Sequence, residues 1–355
     1  MRKGQYQPTP PATAALFAST PVLGGAFPER KSNTDYDPKW AYALSVLSGW
    51  SYAEGQLLAD RIQYHGFAGA TVTEISVVNP ALCIVATAFF VRSRDGRVGV
   101  LAFRGTEPTS LMNWLTDADT TKYVFGKDGG HVHSGFYANV EALWGDISDL
   151  VDPAIRSGLE ELYITGHSLG GAMAVVAAAR IFDGSGNDPH GSWRSAIRGI
   201  YTYGQPIVGD VGFKNRFDPL FGRFLYRHVY DHDVVPCLPP ASVDASFVHF
   251  GERRAAASAE DTWAINPIDR RADVLALASI VESFITRRID AFNGIKAAFS
   301  MDDHSPRGYI DVSRNSVGGA SPRAVALNPS RSAIVERLLW RATHLRPLST
   351  RMMRS

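Results

Sequence analysis

Glu161 to Phe182 reads ELYITGHSLGGAMAVVAAARIF, and this stretch decides the fold. The run LYIT has the β-branched and aromatic character of a buried strand, and Leu169 to Phe182 is almost wholly apolar at helix length. Between them, GHSLGG frames Ser168 with Gly166 and Gly170 in a G-x-S-x-G pattern. A strand turning this sharply into a helix leaves no room for side chains at those glycines and presents the serine hydroxyl, exposed, at the helix N-terminus. The pentapeptide alone is a weak signal, because a glycine-rich turn that merely packs has the same letters. The strand before it and the Ala-rich helix after it are what a nucleophile elbow requires.

Outward from the elbow, strand-like and helix-like segments alternate. Upstream, Thr71–Val78, Cys83–Val91 and Val98–Phe103 read as a β-meander, with RDGR a good hairpin turn between the second and third. Before the meander, apolar residues at helical spacing from Pro38 to Ile62 predict two helices, or one interrupted near Gly55. Tyr137 to Ile155 is helical in pattern; Gly199–Tyr203 and Phe224–Tyr230 read as strands beyond the elbow. Such alternation argues an α/β domain with a mostly parallel sheet covered by helices. The connection from Phe103 to Tyr137 is long and carries exposed-looking apolar residues, Leu111, Met112, Trp114, Leu115, Tyr123, Val124 and Phe125 among them, and long connections are usually functional. From Pro240 to Ala272 the pattern is irregular. A long amphipathic helix is expected from Ala272, and a final one over SAIVERLLWRATHLR.

The chain has 355 residues, 45% hydrophobic and 20% charged, with a formal net charge of +1. That balance argues against a protein that works by covering nucleic acid, which needs a concentrated basic excess. Only the tail is basic: from Val312 to Ser355 eight arginines face one acid, Glu336. Such a patch could touch an anionic surface, and its amphipathic helix either docks on the body or lies on a membrane. The two cysteines, Cys83 and Cys237, are too few for a disulfide framework and read as buried thiols, with their pairing left open. The first residues lack the apolar core of a secretory signal, and no apolar run reaches the length that spans a bilayer, so the expectation is a cytoplasmic or non-classically exported protein. Three segments follow: an extension over 1–35 without catalytic residues, a body over 36–312, and a basic linker and helix over 313–355.

A serine hydroxyl is a poor nucleophile near neutral pH, so Ser168 needs a base, and that base needs an orienting acid. In folds with this elbow the chain order is serine, acid, histidine. Asp231 and Asp233 both follow a predicted strand in YDHDVVPCLPP, where either could serve as the acid. His304, in MDDHSPRGYI, is the loop histidine downstream; His228, His232, His249 and His344 compete. His167 neighbours the serine but is expected to pack under the elbow. No histidine pair has zinc-protease spacing, and DGSGND from Asp183 lacks the closing glutamate of a calcium loop, so neither metal nor cofactor is expected.

With these motifs in order, LAFRGT and NWLTD, VHSGFY, ITGHSLGGAMA, YGQPIVGD and DHDVVPCLPP, the chain resembles the class 3 lipases of filamentous fungi and bacteria from about Asp35 to Ile310. The resemblance implies an α/β-hydrolase fold with a lid over the active site. It makes Ser168 the nucleophile, Asp233 the acid and His304 the base. It assigns the oxyanion hole to Thr106 and the Leu169 backbone N–H, and the lid and substrate-binding surface to Trp114, Leu111, Met112 and Leu115. The activity implied is hydrolysis of carboxylic esters of lipids, triacylglycerols or shorter glycerides first, by a triacylglycerol lipase or carboxylesterase without a cofactor. A phospholipase A1 acting on membranes is the alternative, and a non-catalytic lipase-like scaffold the third reading. The partners implied are a lipid ester substrate and, as an option, transient contact with a membrane or lipid-droplet surface, with no nucleic acid.

Overall fold

The structure is a computed structural model that describes residues 2–6, 27–53, 55–79, 84–105, 122–126, 129–184, 191–239, 245–268 and 302–318. The chain divides into two compact units, Met1–Pro322 and Arg323–Ser355, and everything below concerns the first. In chain order its elements are β1 (Arg2–Tyr6), α1 (Pro38–Trp50), α2 (Gly55–Arg61), β2 (Thr71–Asn79), β3 (Ile84–Arg92), β4 (Val98–Phe103), β5 (Lys122–Val124), β6 (His131–His133), α3 (Ser134–Arg156), β7 (Glu161–His167), α4 (Leu169–Asp183), α5 (Gly191–Ala196), β8 (Ile197–Tyr203), β9 (Gly209–Asp210), α6 (Val211–Phe221), β10 (Leu225–Tyr230), β11 (Phe247–Val248), β12 (Glu252–Ala256), β13 (Ala264–Ile265) and α7 (Pro306–Val317).

Among the described residues one nine-stranded sheet runs in the order β1-β2-β3-β4-β7-β8-β10-β12-β13. The meander β2-β3-β4 is antiparallel, as its hairpin turn predicts. From β4 through β7, β8 and β10 to β12 the neighbours are parallel, so the carboxyl ends of these strands gather at one edge. In open α/β sheets that edge is where ligands bind. A smaller four-stranded sheet, β11-β9-β6-β5, lies outside this frame.

The strand at the centre explains the packing. Every residue of β7 is buried, and all of Leu169–Ala179 in α4 as well, which is why their sequence shows no polar face. Alternation along β7 sends Tyr163 and Thr165 to the same side: Tyr163 stacks on Trp40 of α1 at 3.7 Å between ring centroids, and Thr165 Oγ1 reaches Leu44 O at 3.5 Å. Helix α1 also packs on α7, whereas α3 and α4 pack together, α4 on β7 as well and α3 on β3 and β2. Asp37 starts α1, its carboxylate accepting the Lys39 N–H at 2.8 Å with Pro38 at the first helical position. Among the described residues no helix is long and apolar enough to cross a membrane.

Three expectations need correction. Residues Arg2–Tyr6, placed in an aperiodic extension, pair antiparallel with β2, Arg2 opposite Ser76 and Tyr6 opposite Val72. The open edge of β2 offers a row of main-chain donors and acceptors, which any extended segment can fill without a side-chain pattern. Phe27, in the same extension, stacks on Phe67 at 3.8 Å. Second, the irregular stretch after residue 240 holds β12, a full member of the parallel set. Its sequence, ERRAA, lacks apolar alternation because Arg254 packs by its charge, over the Tyr36 ring at 3.4 Å and paired with Glu252 at 2.5 Å. Third, α7 runs to Val317, so the boundary drawn at residue 313 falls inside a helix, whose Ser313 is fully buried. The long helix from Ala272, the final helix and Cys83 lie outside the described residues; Cys237 is buried.

Candidate active site

Strand β7 ends at His167, and the chain passes through Ser168 at φ 60°, ψ −130° straight into α4. Only one other described non-glycine residue, Asp231 at φ 38°, has a positive φ. Such a conformation costs of order 1–3 kcal/mol and persists only where the surroundings enforce it. They do so here. A Cβ on Gly166 would stand 2.2 Å from the Gly170 main chain, and one on Gly170 would stand 2.2 Å from the Phe103 carbonyl oxygen. The Ser168 N–H is tied to Tyr203 O at 2.9 Å. The serine, expected at an exposed position, is instead 0% exposed.

Of the two acid candidates, Asp233 is buried at 2% exposure and Asp231 pairs with His232 at 2.5 Å. Asp233 Oδ1 accepts the Val235 N–H at 2.9 Å; Oδ2 takes His304 Nδ1 at 2.8 Å and the Tyr309 hydroxyl at 2.5 Å. His304 sits not in an open loop but in a short 3-10 turn, Asp302–His304, just before α7, which Ser305 caps through the Arg307 N–H. Its ring is 1% exposed. Both Ser168 Oγ and His304 Nε2 are buried without a hydrogen bond, an arrangement that costs stability unless something uses it. Burial and the Asp233 carboxylate push the Tyr309 hydroxyl well above its ordinary value, so it stays a donor.

The competing histidines have other partners. His228 Nδ1 lies 3.0 Å from Thr202 O and its Nε2 3.2 Å from the Tyr36 hydroxyl; burial pushes it down to about 3, so it is neutral. His249 Nε2 meets Pro236 O at 2.7 Å. His344 lies outside the described residues. A third histidine–aspartate pair exists, His131 Nδ1 to Asp210 Oδ2 at 2.8 Å, but Asp210 also caps α6 through the Phe213 N–H, and no elbow serine adjoins it in the chain. His167 does pack under the elbow: its ring lies 4.6 Å from the His304 ring, and burial, reinforced by His304, holds it well below its ordinary value.

Thr106, Leu111, Met112, Trp114 and Leu115 lie outside the described residues, so the threonine half of the oxyanion hole and the lid are not placed. Leu169 is placed, as the first residue of α4, where a helix leaves N–H groups unpaired and its dipole favours negative charge. Tyr123 and Val124 on β5 are exposed at 42% and 55%, whereas Phe125 is buried. Asp231, His232 and Asp303 bring possible cation-ligand atoms within 4.8 Å of one another. Sequence reading missed Tyr309 and Tyr52, whose hydroxyls meet Asp233 and His167; a lone tyrosine five residues from a histidine, or one in a helix-to-helix turn, carries no signal until the chain is folded.

Comparison with known proteins agrees with this frame. The family model described as Lipase (class 3) matches residues 100–243. Toxin TseL of Vibrio cholerae is 35% identical over 154 residues, which cover 42% of this chain and 22% of that protein. A lipase of Rhizomucor miehei is 30% identical over 167 residues, 46% of this chain and 43% of that one. The chain thus spans less than half the length of either relative. Among solved structures, lipase II from Rhizopus niveus superposes with a TM-score of 0.56 at 22% identity, over 75% of this chain and 92% of that one, which establishes the α/β-hydrolase fold.

Proposed function

We propose that this chain, which belongs to the class 3 lipase family through residues 100–243, hydrolyses carboxylic esters of lipids by way of an acyl-enzyme on Ser168. The observation that carries the reading is the buried Asp233–His304 pair, joined at 2.8 Å, beside an elbow serine whose hydroxyl and whose candidate base nitrogen both lack partners. Ser168 attacks the ester carbonyl while His304 Nε2 takes its proton; the oxygen and nitrogen close to about 3 Å as substrate binds. His304 then protonates the leaving alcohol, and water deacylates the serine by the same route in reverse. Asp233 keeps the imidazole in the tautomer that presents a free Nε2 and stabilises the imidazolium. The Leu169 N–H and Thr106 hold the oxyanion, a pairing in which losing one donor costs about 100 to 1000-fold in rate.

The test is labelling with a fluorophosphonate probe, with Ser168→Ala as control. Labelling of the wild-type chain that disappears in the variant is expected; labelling independent of Ser168, or none, overturns the mechanism. The substrate is a glyceride, and turnover of triolein emulsions exceeding that of phosphatidylglycerol vesicles is the expected order. The opposite order would make the protein a phospholipase with the same machinery.

A further inference from the structure

Tyr52, in the turn between α1 and α2, touches the active-site frame from two sides. Its hydroxyl lies 2.8 Å from His167 Nδ1, one residue before the elbow serine. Its main-chain carbonyl accepts a hydrogen bond from Arg104 Nη2 at 2.6 Å, one residue past the end of β4. Between these tethers lies Gly105: a Cβ there would stand 2.1 Å from the Tyr52 hydroxyl and 2.6 Å from the His167 carbonyl oxygen. The two segments held together are therefore Arg104–Gly105, which leads directly into Thr106, and His167, which leads directly into Ser168 and Leu169. The His304 ring lies 4.6 Å from the His167 ring.

The Arg104 N–H donates to Thr87 O on β3 at 3.0 Å. Parallel pairing holds β4 to β7 only as far as Phe103 opposite Gly166. Beyond that register the two chains need another link, and groups that stabilise a transition state must be held to about 0.5 Å.

We propose that Tyr52 is a positioning residue for the oxyanion hole, locking the Arg104–Gly105 segment to His167 and so fixing the main chain that leads into the Leu169 donor on one side and towards Thr106 on the other. The inference rests on the hydrolase reading and deepens it: Tyr52 touches no substrate, and acts through the segments it joins. Removing its hydroxyl loosens the oxyanion donors without disturbing ground-state substrate binding.

The experiment compares wild-type chain with Tyr52→Phe, which keeps the ring and deletes the bond to His167. Three quantities are read: kcat and KM on a p-nitrophenyl ester, the affinity of an alkyl boronic acid whose serine adduct mimics the tetrahedral oxyanion, and Tm. Expected are a kcat lowered roughly tenfold, a boronic-acid affinity lowered in parallel, and KM and Tm nearly unchanged; an interaction made in the transition state alone gives this split. Unchanged kcat and boronic-acid affinity overturn the proposal, as does a kcat loss that merely follows a fall in Tm. Should that variant fail to fold, Arg104→Gln severs the main-chain tether and is read in the same way. A wild-type chain without Ser168-dependent labelling defeats the hydrolase reading, and this inference with it; a labelled wild type with an indistinguishable Tyr52→Phe defeats the inference alone.

Discussion

Gly204 shows how little freedom single residues have at this site. Its φ is +59°, and a Cβ there would lie 2.9 Å from both Asp233 Oδ2 and His304 Cε1. Gly204→Ala therefore adds left-handed strain of about 1–2 kcal/mol and pushes the carboxylate and the imidazole apart. Turnover of a p-nitrophenyl ester is expected to fall roughly 100-fold, the scale that follows a displacement of about 1 Å in a catalytic group. Urea denaturation alongside the kinetics separates the two effects. A variant that loses stability yet keeps wild-type kcat would remove Asp233 and His304 from the chemistry. The glycine was visible in YGQPIVGD, but its reason was not: the two groups it accommodates are Asp233, from the loop after β10, and His304, from the turn before α7, brought to it only by the fold.

Among the elements, α1 bears on the site through packing rather than contact. It packs on β7, as α4 does, and also on α7, the helix that follows His304. Trp40, 0% exposed and stacked on Tyr163, anchors it. Trp40→Ala is expected to cost roughly 3–5 kcal/mol, since a buried aromatic leaves a cavity that the sheet cannot close. The midpoint of urea unfolding measures this, and a shift of under about 1 kcal/mol would mean that α1 collapses onto β7 without its tryptophan. Helix α1 was legible because its apolar spacing and its Asp37–Pro38 start are local signals. Strand β12 was not, because its stability comes from pairing with β10 and from Arg254 lying over Tyr36, neither of which leaves an apolar period in ERRAA.

Across the whole molecule, buried histidines make stability depend on pH. Burial pushes His228 down to about 3 and His133 down to about 4, both from 6.5, and holds His167 well below 6.5. In the unfolded chain each takes up a proton near pH 6.5; in the folded chain each resists it. Their contribution is therefore complete above pH 6.5 and is lost as the pH falls from there towards 4 and 3. Tm is expected to drop steadily below pH 6.5, and calorimetry at half-unit steps checks it. A Tm flat from pH 7 to 4.5 would mean that these rings have access to water.

The sequence by itself determined the elbow, the antiparallel meander, the parallel alternation that follows it, and a short set of candidates in which Ser168, Asp233 and His304 already stood in the right order. These are features written locally, in periodicity, turn chemistry and the steric demand of a strand that turns at once into a helix. The tertiary structure decided what depends on distance between remote residues. It chose Asp233 over Asp231 as the partner of His304, turned His228 and His249 to other acceptors, brought Tyr309 to the carboxylate, and joined Tyr52 to the chain on both sides of Gly105. Those contacts join residues 13 to 115 positions apart, and no local pattern encodes such a pairing because its stabilisation exists only once the sheet has gathered its strand ends at one edge.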